Sequence, residues 1–120
     1  MVLLSLLMEE EQLGKNLMSY KYSIVIPVRD GLKTLANTLP KILEISKNRE
    51  DVEIIVCDNN SKDDLEGWIK NLKSNNLFFY QTKKDLKSGQ SLDFALSKAT
   101  GNYISYIGDD DQIFNNRFDI

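Results

Sequence analysis

The hydrophobic positions of this chain change period several times. Ser23-Ile24-Val25-Ile26 is a short continuous apolar run ended by Pro27, the pattern of a strand buried on both faces. Leu32, Leu35, Leu39, Ile42 and Leu43 then recur at helical spacing, and Pro40 is predicted to kink that helix or to restart it from its own first turn. Val52 to Cys57 reads as a second strand. Ser61 is the expected N-cap of a second helix, with Asp64 in its first turn and Leu65, Trp68, Ile69 and Leu72 as its apolar stripe. Leu77 to Tyr80 is a third strand. Leu92, Ala95, Leu96 and Ala99 mark one face of a third helix, expected to stop at Gly101 in the left-handed position, and Tyr103 to Ile107 is a fourth strand.

Strands alternating with helices predict right-handed crossovers and a doubly wound, mostly parallel α/β sheet, here ending after the fourth strand, with order 3-2-1-4. In such sheets ligands sit beyond the C-terminal ends of the strands, where strand order reverses. The polar residues gather at those ends: Arg29-Asp30 after strand one, Asp58-Asn59-Asn60 after strand two, Asp109-Asp110-Asp111 after strand four. Tyr103, Tyr106 and Trp68 read as core or rim aromatics. Lys83, Lys84 and Lys87 can meet a diphosphate, although a solvated basic loop is the simpler reading. No internal repeat or low-complexity linker interrupts the pattern, so residues 20–120 form one folded unit and residues 1–19 an N-terminal extension.

Composition narrows the chemistry. With 120 residues, 42% of them hydrophobic and 28% charged, the chain is sized for one domain at most and one core. A net charge of −3 and no Lys/Arg stripe argue against nucleic acid as a partner. There is no histidine, which rules out His-based zinc sites, Ser-His-Asp triads and His general bases within the chain. The single cysteine, Cys57, sits in an apolar run as a small core filler and suits a reducing compartment such as the cytoplasm. The apolar start, Met1 to Met8, is far shorter than the roughly 20 residues of a membrane span and lacks a basic leader. It reads as an amphipathic extension or an overlong start, compatible with a peripheral contact at the inner membrane face.

Three consecutive aspartates after an apolar strand need an explanation. Adjacent carboxylates repel, so such a run is either screened by water or occupied by a cation. An EF-hand fails for want of its glycine and distal glutamate. A dinucleotide site needs G-x-G-x-x-G where Pro27-Val28-Arg29-Asp30-Gly31 stands, a P-loop needs Gly-Lys-Ser/Thr, and a phospho-accepting receiver domain needs a fifth strand with its lysine.

The motifs "SIVIPVRDG", "VEIIVCDNNSKDD" and "GNYISYIGDDD", in this order and each at a strand end, resemble the N-terminal, nucleotide-sugar-binding half of a family 2 glycosyltransferase of the Rossmann-like GT-A fold. The resemblance spans most of the chain from Tyr20 to Phe118. It implies a nucleoside diphosphate sugar donor, UDP-sugar favoured, a Mn²⁺ or Mg²⁺ ion, and inverting transfer to a hydroxyl of a glycan, lipid or protein acceptor. Pro27, Val28 and Arg29 would line the base pocket, with Val28 and Arg29 replacing the usual threonine and tyrosine. Arg29 can stack on a base or reach a phosphate, or simply be a solvated loop arginine.

By the same resemblance Asp58 and Asn59 recognise the base, and their groups suit a pyrimidine edge. The alternative for both is turn and cap duty before the second helix. The triple aspartate corresponds to the D-x-D region: Asp110 as metal ligand, Asp111 supporting the metal, Asp109 facing ribose or base. The first acid of the usual pattern falls on Gly108, and Gly89 to Phe94 lacks the family's common arginine. Family members continue into an acceptor half that supplies the general base, so no residue here takes a catalytic role, and this chain by itself is expected to transfer no sugar. A non-catalytic nucleotide-sugar-binding or interaction module is the alternative reading. A sheet lacking that half is expected to expose apolar surface and to self-associate.

Overall fold

The computed structural model describes residues 20–108. The N-terminal extension and Asp109, Asp110 and Asp111 lie outside the described residues. Within them the order is β1 (Tyr22–Val28), α1 (Leu32–Ser46), β2 (Val52–Asn59), α2 (Leu65–Lys70), β3 (Leu77–Thr82), α3 (Ser88–Ser97) and β4 (Tyr103–Tyr106). The four strands form one parallel sheet in the expected order β3-β2-β1-β4.

Both faces of the central strands are covered. Tyr22, Ile24, Ile26 and Val28 of β1 join Val52, Ile54 and Val56 of β2 on one face, under Leu35, Leu39 and Ile42 of α1 and Leu65 and Ile69 of α2. Val25, Ile55 and Cys57 point the other way, against Ala95 of α3. This two-sided burial explains the continuous apolar runs, because alternate residues have no solvent face to occupy. Each aliphatic side chain so buried contributes roughly 1.5–3 kcal/mol. Trp68 is half-buried against the larger cluster. Among the described residues no helix is long and apolar enough to cross a membrane.

Four local expectations change. Pro27 lies inside β1 rather than ending it, paired with Cys57. The carbonyls of Lys21 and Val25 accept from Tyr103 and Ile107 on the β4 side, so the nitrogen of Pro27 faces that side too, past the last paired residue Val25, and no ladder bond is lost. Pro40 neither breaks nor restarts α1; it sits on the exposed face, where water can satisfy the carbonyl it leaves unbonded. The cap of α2 is Asp64, whose side chain accepts from the Gly67 N–H at 3.3 Å, and not Ser61. Gly101 is not left-handed: no glycine among the described residues has positive φ. Its missing side chain instead allows the turn before β4 to lie against β1.

The tyrosines of β4 are a further correction. Tyr103 and Tyr106 are each 55% exposed and Ile104 is 48% exposed, because β4 is an edge strand among the described residues. Tyr103 stacks on Tyr22 with ring centroids 5.6 Å apart. Leu96, expected on the packed face of α3, is exposed as well.

Candidate functional site

At the C-terminal edge of the sheet two loops are laced together. Asp30, after β1, and Asn60, after β2, both take left-handed backbone conformations, φ 51° and 53°, tolerated by Asx side chains better than by most. The Asp30 N–H donates to Ser61 Oγ (2.8 Å), and the Lys62 N–H returns to Asp30 Oδ1 (2.6 Å). Asp63 reaches across to accept from the Leu32 N–H (3.0 Å), so α1, which has no cap of its own, is capped from the neighbouring loop. The reciprocal bonds fix the position of Arg29, which sits between β1 and the clasp.

A third segment joins them. Asn59, 8% exposed, donates Nδ2 to the Leu86 carbonyl and accepts the Leu86 N–H at Oδ1, both at 2.9 Å. Asn60 donates to Asp85 Oδ1 (2.8 Å), and Arg29 pairs with Asp85 Oδ2 at 3.0 Å. The Asn60 hydrogen bond first, and Arg29 second, hold the Asp85 carboxyl below the ordinary carboxylate value. The segment between β3 and α3 is thereby strapped onto the ends of β1 and β2. Lys83, Lys84 and Lys87 are exposed on it, as a solvated basic loop would be.

These contacts enclose a groove of about 280 Å³ lined by Pro27, Val28, Arg29, Asn59, Leu86, Ser88, Ser91, Leu92 and Tyr106. It lies beyond the strand ends, between β1 and β4, where strand order reverses. Four of the residues expected at the site, Pro27, Val28, Arg29 and Asn59, therefore meet on one surface. Asp58 does not line it. That side chain is buried, accepting the Ser61 N–H at Oδ1 (3.0 Å) and Gln81 Nε2 at Oδ2 (2.9 Å), which is turn duty. A larger hollow of about 680 Å³ opens beside Tyr20, Arg49, Asp51 and Asn76 at the opposite edge of the sheet. Size does not decide here, since the polar loops and the switch point are at the smaller one.

Sequence reasoning missed Asp85, Leu86 and Asp63, whose roles come from contacts some 25 to 31 positions away in the chain. It also passed over Glu53, although a lone acid inside an apolar strand is a visible signal for a buried, partnered carboxyl. Among the described residues no three His, Cys, Asp or Glu side chains cluster as a metal site.

A parallel sheet of order 3-2-1-4 with helices on both faces and a polar crevice at its switch point defines a doubly wound α/β half-domain of the GT-A type. The chain belongs to glycosyl transferase family 2, whose model matches residues 23–119. It is 26% identical over 100 residues to an uncharacterised glycosyltransferase of Rickettsia bellii, covering 83% of this chain and 14% of that protein. The fold superposes on S. aureus TarS 1-349 in complex with UDP-GlcNAc with a TM-score of 0.71 at 23% identity, covering 82% of this chain and 29% of that one. It also superposes on the mannosyltransferase PcManGT from Pyrobaculum calidifontis in complex with GDP-Man and Mn²⁺, with a TM-score of 0.69 at 18% identity, covering 82% and 30%. The chain thus spans less than a third of the length of each of these proteins.

Proposed function

We propose that this chain is the donor-binding region of an inverting glycosyltransferase, holding a nucleoside diphosphate sugar, with UDP-sugar favoured, for transfer to an acceptor hydroxyl on a glycan, lipid or protein. The observation that carries this reading is the groove at the β1/β4 switch point, where Pro27, Val28, Arg29 and Asn59 meet. A base can lie against its apolar floor of Pro27, Val28, Leu86 and Leu92, while the guanidinium of Arg29 stacks on it or turns to a phosphate. Family membership and the donors bound by TarS and PcManGT support the choice of ligand.

The chemistry of the donor set fits a divalent metal. The described residues offer no cluster, whereas the sequence that follows β4 offers three successive carboxylates, hard oxygen donors of the kind Mg²⁺ and Mn²⁺ take. Asp110 and Asp111 would hold the ion and Asp109 would face the ribose or base; when bound, the ion would offset the charge of the departing diphosphate. The bound Mn²⁺ in PcManGT supports this assignment. Cys57 is buried and is the one cysteine of the sequence, so no disulfide forms within it, which fits a cytoplasmic setting.

Calorimetric titration with UDP in Mn²⁺ and in EDTA tests the proposal. Binding is expected to be metal-dependent, weakened by Arg29→Ala and stripped of its metal dependence by Asp110→Asn. Equal affinity in Mn²⁺ and EDTA would overturn it.

A further inference from the structure

The most buried acid among the described residues stands far from the groove. Glu53, the second residue of β2, has no exposed surface. Three donors converge on its Oε2: Ser23 Oγ at 2.5 Å, the Thr100 N–H at 2.7 Å and Thr100 Oγ1 at 2.9 Å. Ser23 Oγ in turn accepts the Gly101 N–H at 2.8 Å. A single side chain thus joins β2, β1 and the turn that launches β4.

That turn is where β4 needs help. A strand's register is strongly specified when one face is buried and weakly when it is not, and a one-residue slip sends every side chain to the other face. β4 has four residues and, among the described residues, pairs with β1 alone and leaves Tyr103, Ile104 and Tyr106 exposed. Its burial pattern therefore says little about its register. What pins it is the polar cluster at its start and, past its end, the buried Ile107, whose N–H donates to the Val25 carbonyl at 3.0 Å.

We infer that Glu53 is a positioning residue: through Ser23, Thr100 and Gly101 it sets the register of β4 on β1, and so the place of Tyr106 at the groove and the point at which the chain leaves β4 toward the aspartates next in sequence, the groove end of β1 lying roughly 16 Å along the strand from Ser23 to Val28. The functional half of this inference rests on the donor-binding reading; the register half does not. Glu53 is not among the residues that line the groove, and its hydrogen bonds to Ser23 and Thr100 lie at the start of β4, so its effect is transmitted along the backbone of that strand.

The experiment compares Glu53→Gln and Thr100→Val with the unaltered 120-residue chain in two measurements. Amide hydrogen exchange at Tyr103 and Ile107, whose N–H groups donate to Lys21 and Val25, reads the β4 ladder. The ratio of UDP affinity in Mn²⁺ to that in EDTA reads the placement of the triplet. Both variants are expected to speed exchange at Tyr103 and to lower the Mn²⁺/EDTA ratio, each on the order of tenfold, the equilibrium equivalent of one hydrogen bond to a charged group. UDP affinity in EDTA should change far less than the ratio, because Pro27, Val28 and Asn59 belong to β1 and β2, Arg29 to the loop after β1, and of the groove lining Tyr106 belongs to β4.

A role in stability alone would lower the melting temperature and leave the ratio within twofold of its starting value; that result overturns the inference. If Glu53→Gln does not fold, Thr100→Val, which deletes one hydroxyl and keeps the shape, carries the test. If the unaltered chain shows no metal dependence, the donor-binding reading has failed separately. Exchange at Tyr103 and Ile107 then decides the register claim: protection kept in the variants refutes it, and protection lost supports it.

Discussion

Replacing Gly101 by alanine probes how tightly the turn before β4 is pressed onto β1. A Cβ there would stand 2.7 Å from Ser23 Oγ, 2.9 Å from the Ser23 nitrogen and 2.9 Å from the Tyr22 carbonyl carbon. Two of those three atoms are backbone of a buried strand and cannot rotate away. The φ of Gly101 is not in the left-handed region, so the penalty is steric and not conformational. Relief requires the turn to retreat, which lengthens the Gly101 bond to Ser23 and draws Thr100 from Glu53. Overpacking costs roughly 1–3 kcal/mol, and weakening a hydrogen bond to a charged group adds roughly 1.5–3 kcal/mol. The stiffer unfolded chain returns only about 0.4–1 kcal/mol. A net loss of about 1.5–5.5 kcal/mol follows, a fall in melting temperature on the order of 10 °C for a domain this size. Gly89 is the control: its Cβ would meet nothing within 4 Å, and it lies in the first turn of α3, so Gly89→Ala should stabilise by about 0.5–1 kcal/mol. Urea unfolding of both variants checks the sign and the size. If Gly101→Ala lies within about 0.5 kcal/mol of the unaltered chain, or moves in the same direction as Gly89→Ala, the account of the turn is wrong.

Asn59→Ala should cost about 2 kcal/mol, since it orphans the Leu86 N–H and carbonyl, and should expose the Leu86 amide to exchange; an unchanged exchange rate there would contradict the strap. Arg29→Ala should leave urea stability within about 0.5 kcal/mol, because its pair with Asp85 is solvent-exposed, while weakening UDP binding; a large stability loss would recast Arg29 as structural. The Asp51 carboxyl is held below its ordinary value of 3.8, chiefly by its hydrogen bond from Arg49, so its contribution is complete above that value and is lost as pH falls through the lower folded value. Stability measured across the acid limb should therefore fall less steeply below pH 3.8 in Asp51→Asn, and an identical slope would show that the pair is fully screened.

The architecture was legible because the two-sided burial of β1 and β2 writes itself as unbroken apolar runs, and because parallel strands with right-handed crossovers leave few orders to choose from. Helix α1 announced its packed face through Leu35, Leu39 and Ile42, all buried as the spacing requires. What sequence could not supply was every feature that depends on a distant partner. Ser61 has the chemistry of an N-cap, yet its hydroxyl is taken by the Asp30 N–H, and the cap falls to Asp64. Gly101 follows a helix as a left-handed glycine would, yet it is there to let two backbones touch. The aromatic residues of β4 look like core until the strand is seen to be the sheet edge. At the groove, residue type and strand-end position single out Pro27, Val28, Arg29 and Asn59, which line one surface, but the strap from Asp85 and Leu86 carries no local pattern.

The division of labour between Asp58 and Asn59 follows from counting their donors and acceptors. Both oxygens of Asp58 already accept protein hydrogen bonds, and the side chain is buried, so it shapes the loop from beneath. The amide of Asn59 has two N–H donors and two acceptor lone pairs. One donor goes to the Leu86 carbonyl and Oδ1 receives the Leu86 N–H, while the single Thr82 hydroxyl proton has the Lys84 carbonyl at 3.1 Å, nearer than Oδ1 at 3.3 Å. One N–H is left, on a residue that lines the groove. On the donor-binding reading, Asn59 can therefore donate a single bond to a carbonyl of the base and keeps one Oδ1 lone pair to accept from its ring N–H. The hydroxyls of Ser88 and Ser91, which line the same groove, have the chemistry to add a second donor or acceptor to that recognition.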